Sequence, residues 1–125
     1  MQDIQVYIDI DMLRMPCDIL DLRFVARRNR EHSIERWHIT KQGLVEMTRE
    51  RSIEEIIRAL EAGEGCKIKG VFFKHFVSNN FFITVGNEQV AIRIQMMKGI
   101  QAFDMSHKIN SFMLGDSRSH EYYER

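Results

Sequence analysis

One proline and two cysteines stand in a chain of 125 residues. So little proline excludes a polyproline or low-complexity chain. No apolar run approaches the roughly 18 residues that a membrane-spanning helix requires. Neither charge is in excess, with Lys plus Arg at 18 and Asp plus Glu at 18. That balance argues against a dedicated nucleic-acid or anionic-membrane binder, which carries surplus positive charge. The five histidines are scattered, and no C-x-x-C, H-x-x-x-H or H-E-x-x-H pattern occurs. A zinc centre needs about four nitrogen or sulfur ligands, usually in close-spaced pairs, so no metal is expected. S-x-x-K, G-x-S-x-G and a phosphate-cradling glycine loop are also missing, so neither an enzyme nor a cofactor is expected. Met1-Gln2-Asp3 leads straight into a strand-like segment, so no signal peptide is expected either.

Apolar residues make up 44% of the chain. A chain of this length buries about two-thirds of its unfolded surface, enough for one domain over residues 1–125. The two cysteines, Cys17 and Cys66, admit two readings. They are either buried thiols behaving as small hydrophobes, which composition alone favours, or one disulfide. A bond closing so long a loop contributes roughly 4 kcal/mol in the chain-entropy description.

Period two dominates the patterning. Val6, Ile8, Ile10 and Met12 alternate with Tyr7, Asp9 and Asp11, which predicts a half-buried strand with both carboxylates on its wet face. Met15-Pro16 ends it, because proline cannot donate to a ladder. Strands are predicted over Ile19 to Ala26 and Ser33 to Thr40, separated by a polar turn at Arg27-Arg28-Asn29-Arg30-Glu31. Cys66 to Val77 alternates with apolar residues on both faces at its centre, the mark of an interior strand. Ser78-Asn79-Asn80 reads as a turn back into Phe81 to Val85, and Val90, Ile92, Ile94 and Met96 as a further strand, which together imply a meander. The stretch from Asp104 to Gly115 is mixed, and residues 117–125 read as a flexible polar tail.

One helix is predicted, over about residues 52–62. Ser52 and Glu55 form an S-x-x-E capping box. Ile53, Ile56, Ile57 and Leu60 make one apolar stripe, and Gly63 follows as a C-terminal cap. Val45 to Arg51 reads as a possible extension of it. The fold class expected is mainly β: an antiparallel, sandwich-like domain with this amphipathic helix inserted between strands.

Candidate sites are few. Asp9 and Asp11 could form a carboxylate pair, but a solvated strand edge accounts for them. Lys69 to Phe76 partly matches the RNA-binding octapeptide, with Lys69, Gly70, Phe73 and Phe76 in place and Val71 where a stacking aromatic belongs. An RNA-binding module is therefore an alternative, although nucleic acid is not the expected partner. Arg27, Arg28 and Arg30 could grip an acidic partner. Met96 and Met97 read as core filler rather than as a plastic binding surface. Asp104 and His107 could form a pH-sensitive pair, against the plainer reading of a histidine bonding a backbone carbonyl.

Three signatures remain. They are Ile8-Asp9-Ile10 followed by Met15-Pro16-Cys17-Asp18-Ile19-Leu20; Gly65-Cys66-Lys67-Ile68-Lys69-Gly70 continuing to Phe81-Phe82-Ile83-Thr84-Val85-Gly86; and Phe103 to Asn110 ending Leu114-Gly115-Asp116. In this order, over most of residues 6–116, the chain resembles the luminal domain of the endoplasmic-reticulum vesicle transporter family. That family contains the cargo receptors that cycle between endoplasmic reticulum and Golgi in COPII vesicles. Its matching patterns are P-C-D-L-L, G-C-R-I-x-G with V-x-G-N-F-H-I-T-x-G, and F-S-H-R-I-x-H-L-S-F-G. The resemblance implies a Cys17–Cys66 disulfide, which an oxidising lumen favours, and a β-rich sandwich with a helical insertion. It also implies a non-catalytic domain that binds protein through sheet edges and loops. Its expected partner is a related chain, in a hetero-oligomer, or a membrane-protein complex. The implied place is the lumen of the endoplasmic reticulum or the ER–Golgi intermediate compartment. A small structural subunit of a larger complex, using the same β fold, is the other alternative.

Overall fold

The computed structural model describes residues 3–24, 33–75, 81–116 and 122–124. Among these residues there are eight strands: β1 (Asp3–Met12), β2 (Leu20–Phe24), β3 (Ser33–Thr40), β4 (Gly43–Glu46), β5 (Gly65–His75), β6 (Phe81–Val85), β7 (His107–Asp116) and β8 (Tyr122–Glu124). Two helices, α1 (Ile53–Glu61) and α2 (Glu88–Lys98), lie before β5 and after β6. Six strands make one antiparallel sheet in the order β4-β3-β5-β1-β7-β8, and β2 pairs with β6 in a separate ribbon. The fold is mainly β and antiparallel, as the alternation predicts.

Side-chain alternation decides which face is inside. On β1, Val6, Ile8, Ile10 and Met12 are all at most 4% exposed. Register places them beside Ile68 and Cys66 of β5, and across from Phe112 and Ile109 of β7. This inner face packs against Ile56 of α1, Val90 and Ile94 of α2, and Ile19 and Leu20 at the start of the ribbon. Each such side chain contributes about 1.5–3 kcal/mol by leaving water. The outer face carries Tyr7, Asp9 and Asp11 with Lys67 and Lys69.

β5 lies between β3 and β1, as its two apolar faces predict. Its entry requires glycine. A Cβ on Gly65 would collide with the backbone oxygen of Met12 and come within 3.0 Å of that of Leu13. α1 begins where the capping box places it: the Ser52 side chain accepts from Glu55 N–H at 3.2 Å, and the Glu55 carboxylate accepts from Ser52 N–H at 3.1 Å. Gly63 follows its C-cap at φ +75°, a left-handed conformation open to glycine.

Four expectations are corrected. The segment expected as a strand at Val90 to Met96 is α2, because Val90 and Ile94, four apart, turn inward while Ile92 and Met96 face solvent. Val45 to Arg51 does not extend α1, because Gly43–Glu46 pairs with β3 as a sheet edge. β6 does not fold back on β5 in a meander. It pairs with β2, Leu20 opposite Val85 and Phe24 opposite Phe81. Asp9 and Asp11 are not on an edge, since β1 is paired on both sides. In the segment read as a polar tail, Tyr122–Glu124 pairs with β7. The expected turns at Arg27 to Glu31 and Ser78 to Asn80 lie outside the described residues.

Candidate functional site

The Cys17–Cys66 pair is bonded, with the Cα atoms 5.0 Å apart and both residues fully buried. It joins the short 3-10 turn Cys17–Ile19 to the start of β5. Beside it lies a buried ionic cluster. Asp18 follows Cys17 and Glu64 stands two residues before Cys66. His38 is the register partner of Cys66 on β3. Arg51, just ahead of the helix cap, supplies the cation.

The Arg51 guanidinium donates from Nε to both Asp18 oxygens, at 3.2 and 3.1 Å, and from Nη1 and Nη2 to Glu64, at 3.3 and 2.6 Å. Nη2 also lies 3.4 Å from His38 Nδ1. The same ring nitrogen stands 3.7 Å from Glu64 Oε2. Burial pushes the Asp18 carboxyl up, but the Arg51 hydrogen bonds and charge outweigh it and hold the group below the usual range. Arg51 is held above its ordinary value, chiefly by the hydrogen bond to Asp18.

Ligand atoms of Asp18, His38 and Glu64 lie within 4.8 Å of one another. The guanidinium already stands among them and occupies both carboxylates, so the positive charge that these acids need comes from the chain itself. The cluster is an ion-pair network that ties α1's entry to the disulfide.

A second cluster lies on the outer face. Lys67 Nζ lies 2.7 Å from Asp9 Oδ1 and 2.9 Å from Asp11 Oδ1, and Asn110 donates to Asp9 at 3.2 Å. The Lys67 contact with Asp11 is an ion pair rather than an aligned hydrogen bond, since Asp11 Oδ1 lacks a hydrogen-bond partner among the described residues. Burial raises the Asp9 carboxyl, and Lys67, Asn110 and Lys69 together bring it below its ordinary value.

The remaining candidates part ways. Asp104 accepts from Ser106 N–H at 2.9 Å and from the Ser106 hydroxyl, and these bonds hold its carboxyl down. His107 Nδ1 instead faces the Met105 carbonyl at 3.1 Å. The two residues are therefore near in sequence but engaged separately, which is the backbone-bonded histidine of the plainer reading. Met96 and Met97 are not core filler, being 83% and 58% exposed. Lys69 is exposed on the outer face of β5, while Arg27, Arg28, Arg30 and Phe76 lie outside the described residues. Sequence reasoning missed Arg51, His38 and Glu64. The only hint was the adjacency of acids to both cysteines, at Cys17-Asp18 and Glu64-Gly65-Cys66.

No curated protein and no solved structure matches the chain. A family model described as Endoplasmic reticulum vesicle transporter matches residues 28–123. That span contains the Gly65-Cys66 and Phe103–Asp116 signatures, and Cys17 precedes it. With the match covering well over half of its length, the chain belongs to the endoplasmic reticulum vesicle transporter family.

Proposed function

We propose that this domain works in the lumen of the early secretory pathway as a non-catalytic holder of other polypeptides, part of a cargo-receptor assembly with a related chain or a membrane-protein complex. Family membership ties the chain to vesicle transport between endoplasmic reticulum and Golgi. The observation that carries the luminal reading is the Cys17–Cys66 bond, because such bonds persist in oxidising compartments and are rare in reducing ones. Among the described residues no helix is long and apolar enough to cross a membrane, so attachment to the vesicle would come through a partner or a further segment.

The holding role is supported by the ionic clusters. Their carboxylates are committed to Arg51 and Lys67, which leaves them structural. A structural subunit outside the secretory route requires reduced cysteines, which the bonded pair does not favour. The RNA reading rests on Lys69 to Phe76 and is not favoured by the zero net charge of the chain.

The test is protease protection of the tagged full chain in sealed microsomes, with thiols blocked before lysis, followed by cross-linking. Protection, an oxidised pair and cross-links to secretory-pathway membrane proteins are expected. Digestion in intact vesicles, or alkylated Cys17 and Cys66, would overturn the reading.

A further inference from the structure

Resting on the reading of the chain as an interaction domain, we propose that β4 is a docking edge for an extended basic segment of a partner polypeptide, which adds to the sheet as a further strand. β4 is the outermost strand, and among the described residues it pairs with β3 alone. All four of its residues are exposed, Leu44 and Val45 to 51% each. Folded proteins guard a free edge with lysine, proline or a bulge, because its unpaired amides and carbonyls template another strand. Gly43-Leu44-Val45-Glu46 carries none of these, and its guards are only its four-residue length and the Glu46 charge, which repels acidic rather than basic strands.

Two cavities follow one another along this edge. One, of about 280 Å³, is lined by Val45 with His38 and Thr40. The next, of about 570 Å³, is lined by Met47 with Ile34 and Glu35. Residues i and i+2 of an added strand point to the same face, roughly 6.7 Å apart, so alternate side chains of the occupant can enter the two cavities in turn. Backbone pairing with side-chain pockets is how strand addition joins affinity to specificity.

Charge selects the occupant. Two arginines beside the edge are neutralised, Arg49 by Glu55 and Arg51 by Asp18 and Glu64, while Arg36 donates to the neutral Leu20 carbonyl and is one positive charge set against three carboxylates. The carboxylates of Glu35, Glu46 and Glu50, which line the larger cavity, have no partner among the described residues. Lys41 stands at the far end, before Gly43. The unmatched charge at the C-terminal end of β4 is therefore negative, and an extended segment with lysine or arginine at alternate positions matches it.

The experiment titrates the full chain with a fluorescent six-residue peptide of alternating lysine and valine, against the same peptide with glutamate for lysine. Backbone hydrogen exchange is followed in parallel. The basic peptide should bind and slow exchange at Gly43–Glu46. Glu46→Lys with Glu50→Lys should weaken binding about tenfold, with an unchanged melting curve. Absence of binding, equal binding of the glutamate peptide, protection elsewhere, or an unaffected double variant would each overturn the proposal. The two readings separate cleanly. If the double variant cross-links the wild-type partners in microsomes, the edge assignment fails and the interaction reading stands. If β4 is protected in a chain that fails the microsome test, the edge stands and the luminal reading fails.

Discussion

Arg51 grips Asp18 across 33 residues of sequence, and in doing so spans the gap that the disulfide closes next to it. The guanidinium links the Cys17-Asp18 turn to Glu64, just ahead of Cys66, so one ion-pair network and one covalent bond hold the same two segments. The side chains of Asp18 and Glu64 are only 4% and 10% exposed. Arg51→Met therefore leaves two buried carboxylates without a cation. The expected loss is about 3–5 kcal/mol, read from the midpoint of urea unfolding at pH 7.

Acid should weaken the same network. Asp18 titrates lower in the folded chain than its ordinary value of 3.8. Its contribution is full above that value and is lost as pH falls through the folded one, because the unfolded chain binds the proton first. Stability should thus fall below about pH 4, and Asp18→Asn should flatten that part of the profile while lowering stability at pH 7. Thermal melts from pH 2 to 7 decide it, and an equally steep acid limb in the variant would refute the assignment.

The disulfide closes a separation of 49 residues. Cys17→Ala with Cys66→Ala should cost about 4 kcal/mol. Both sulfurs are buried, so iodoacetamide should label the native protein only after denaturation and reduction. Intact mass should rise by two hydrogens on reduction.

The cap of α1 gives a graded test. Ser52→Ala should cost about 1 kcal/mol, and Ser52→Gly only a few tenths. Equal losses in thermal melts would mean that the hydroxyl bond to Glu55 N–H is not what holds the cap.

Gly65→Ala drives a methyl group into the Met12 backbone oxygen, where no side chain can yield. The end of the β1–β5 ladder must open, and faster hydrogen exchange at Met12 and Cys66 should report it.

Legibility tracked local pattern. β3 was readable to the residue, because its eight residues alternate between turn signals. α1 was readable because its cap, stripe and C-terminal glycine agree. α2 was not. Val90, Ile92, Ile94 and Met96 satisfy period two, and the exposed Ile92 and Met96 hid the four-residue spacing of Val90 and Ile94. β4 is four exposed residues with no buried face to mark it. The partner of β6 could not be read either, since the turn signals favour a neighbour in sequence, whereas β2 is about sixty residues away.

Taken alone, the amino-acid order determined the alternation of β1, β3 and β5, the helix after Ser52, and the family signatures around Cys66. Each of these is written within a dozen residues by side-chain periodicity and backbone preference. Only the tertiary structure decided that Arg51 answers Asp18 and Glu64, that Lys67 answers Asp9 and Asp11, and that β4 pairs, among the described residues, with β3 alone. Ion pairs between distant segments have no period, and a free edge is a property of strand order rather than of the strand itself.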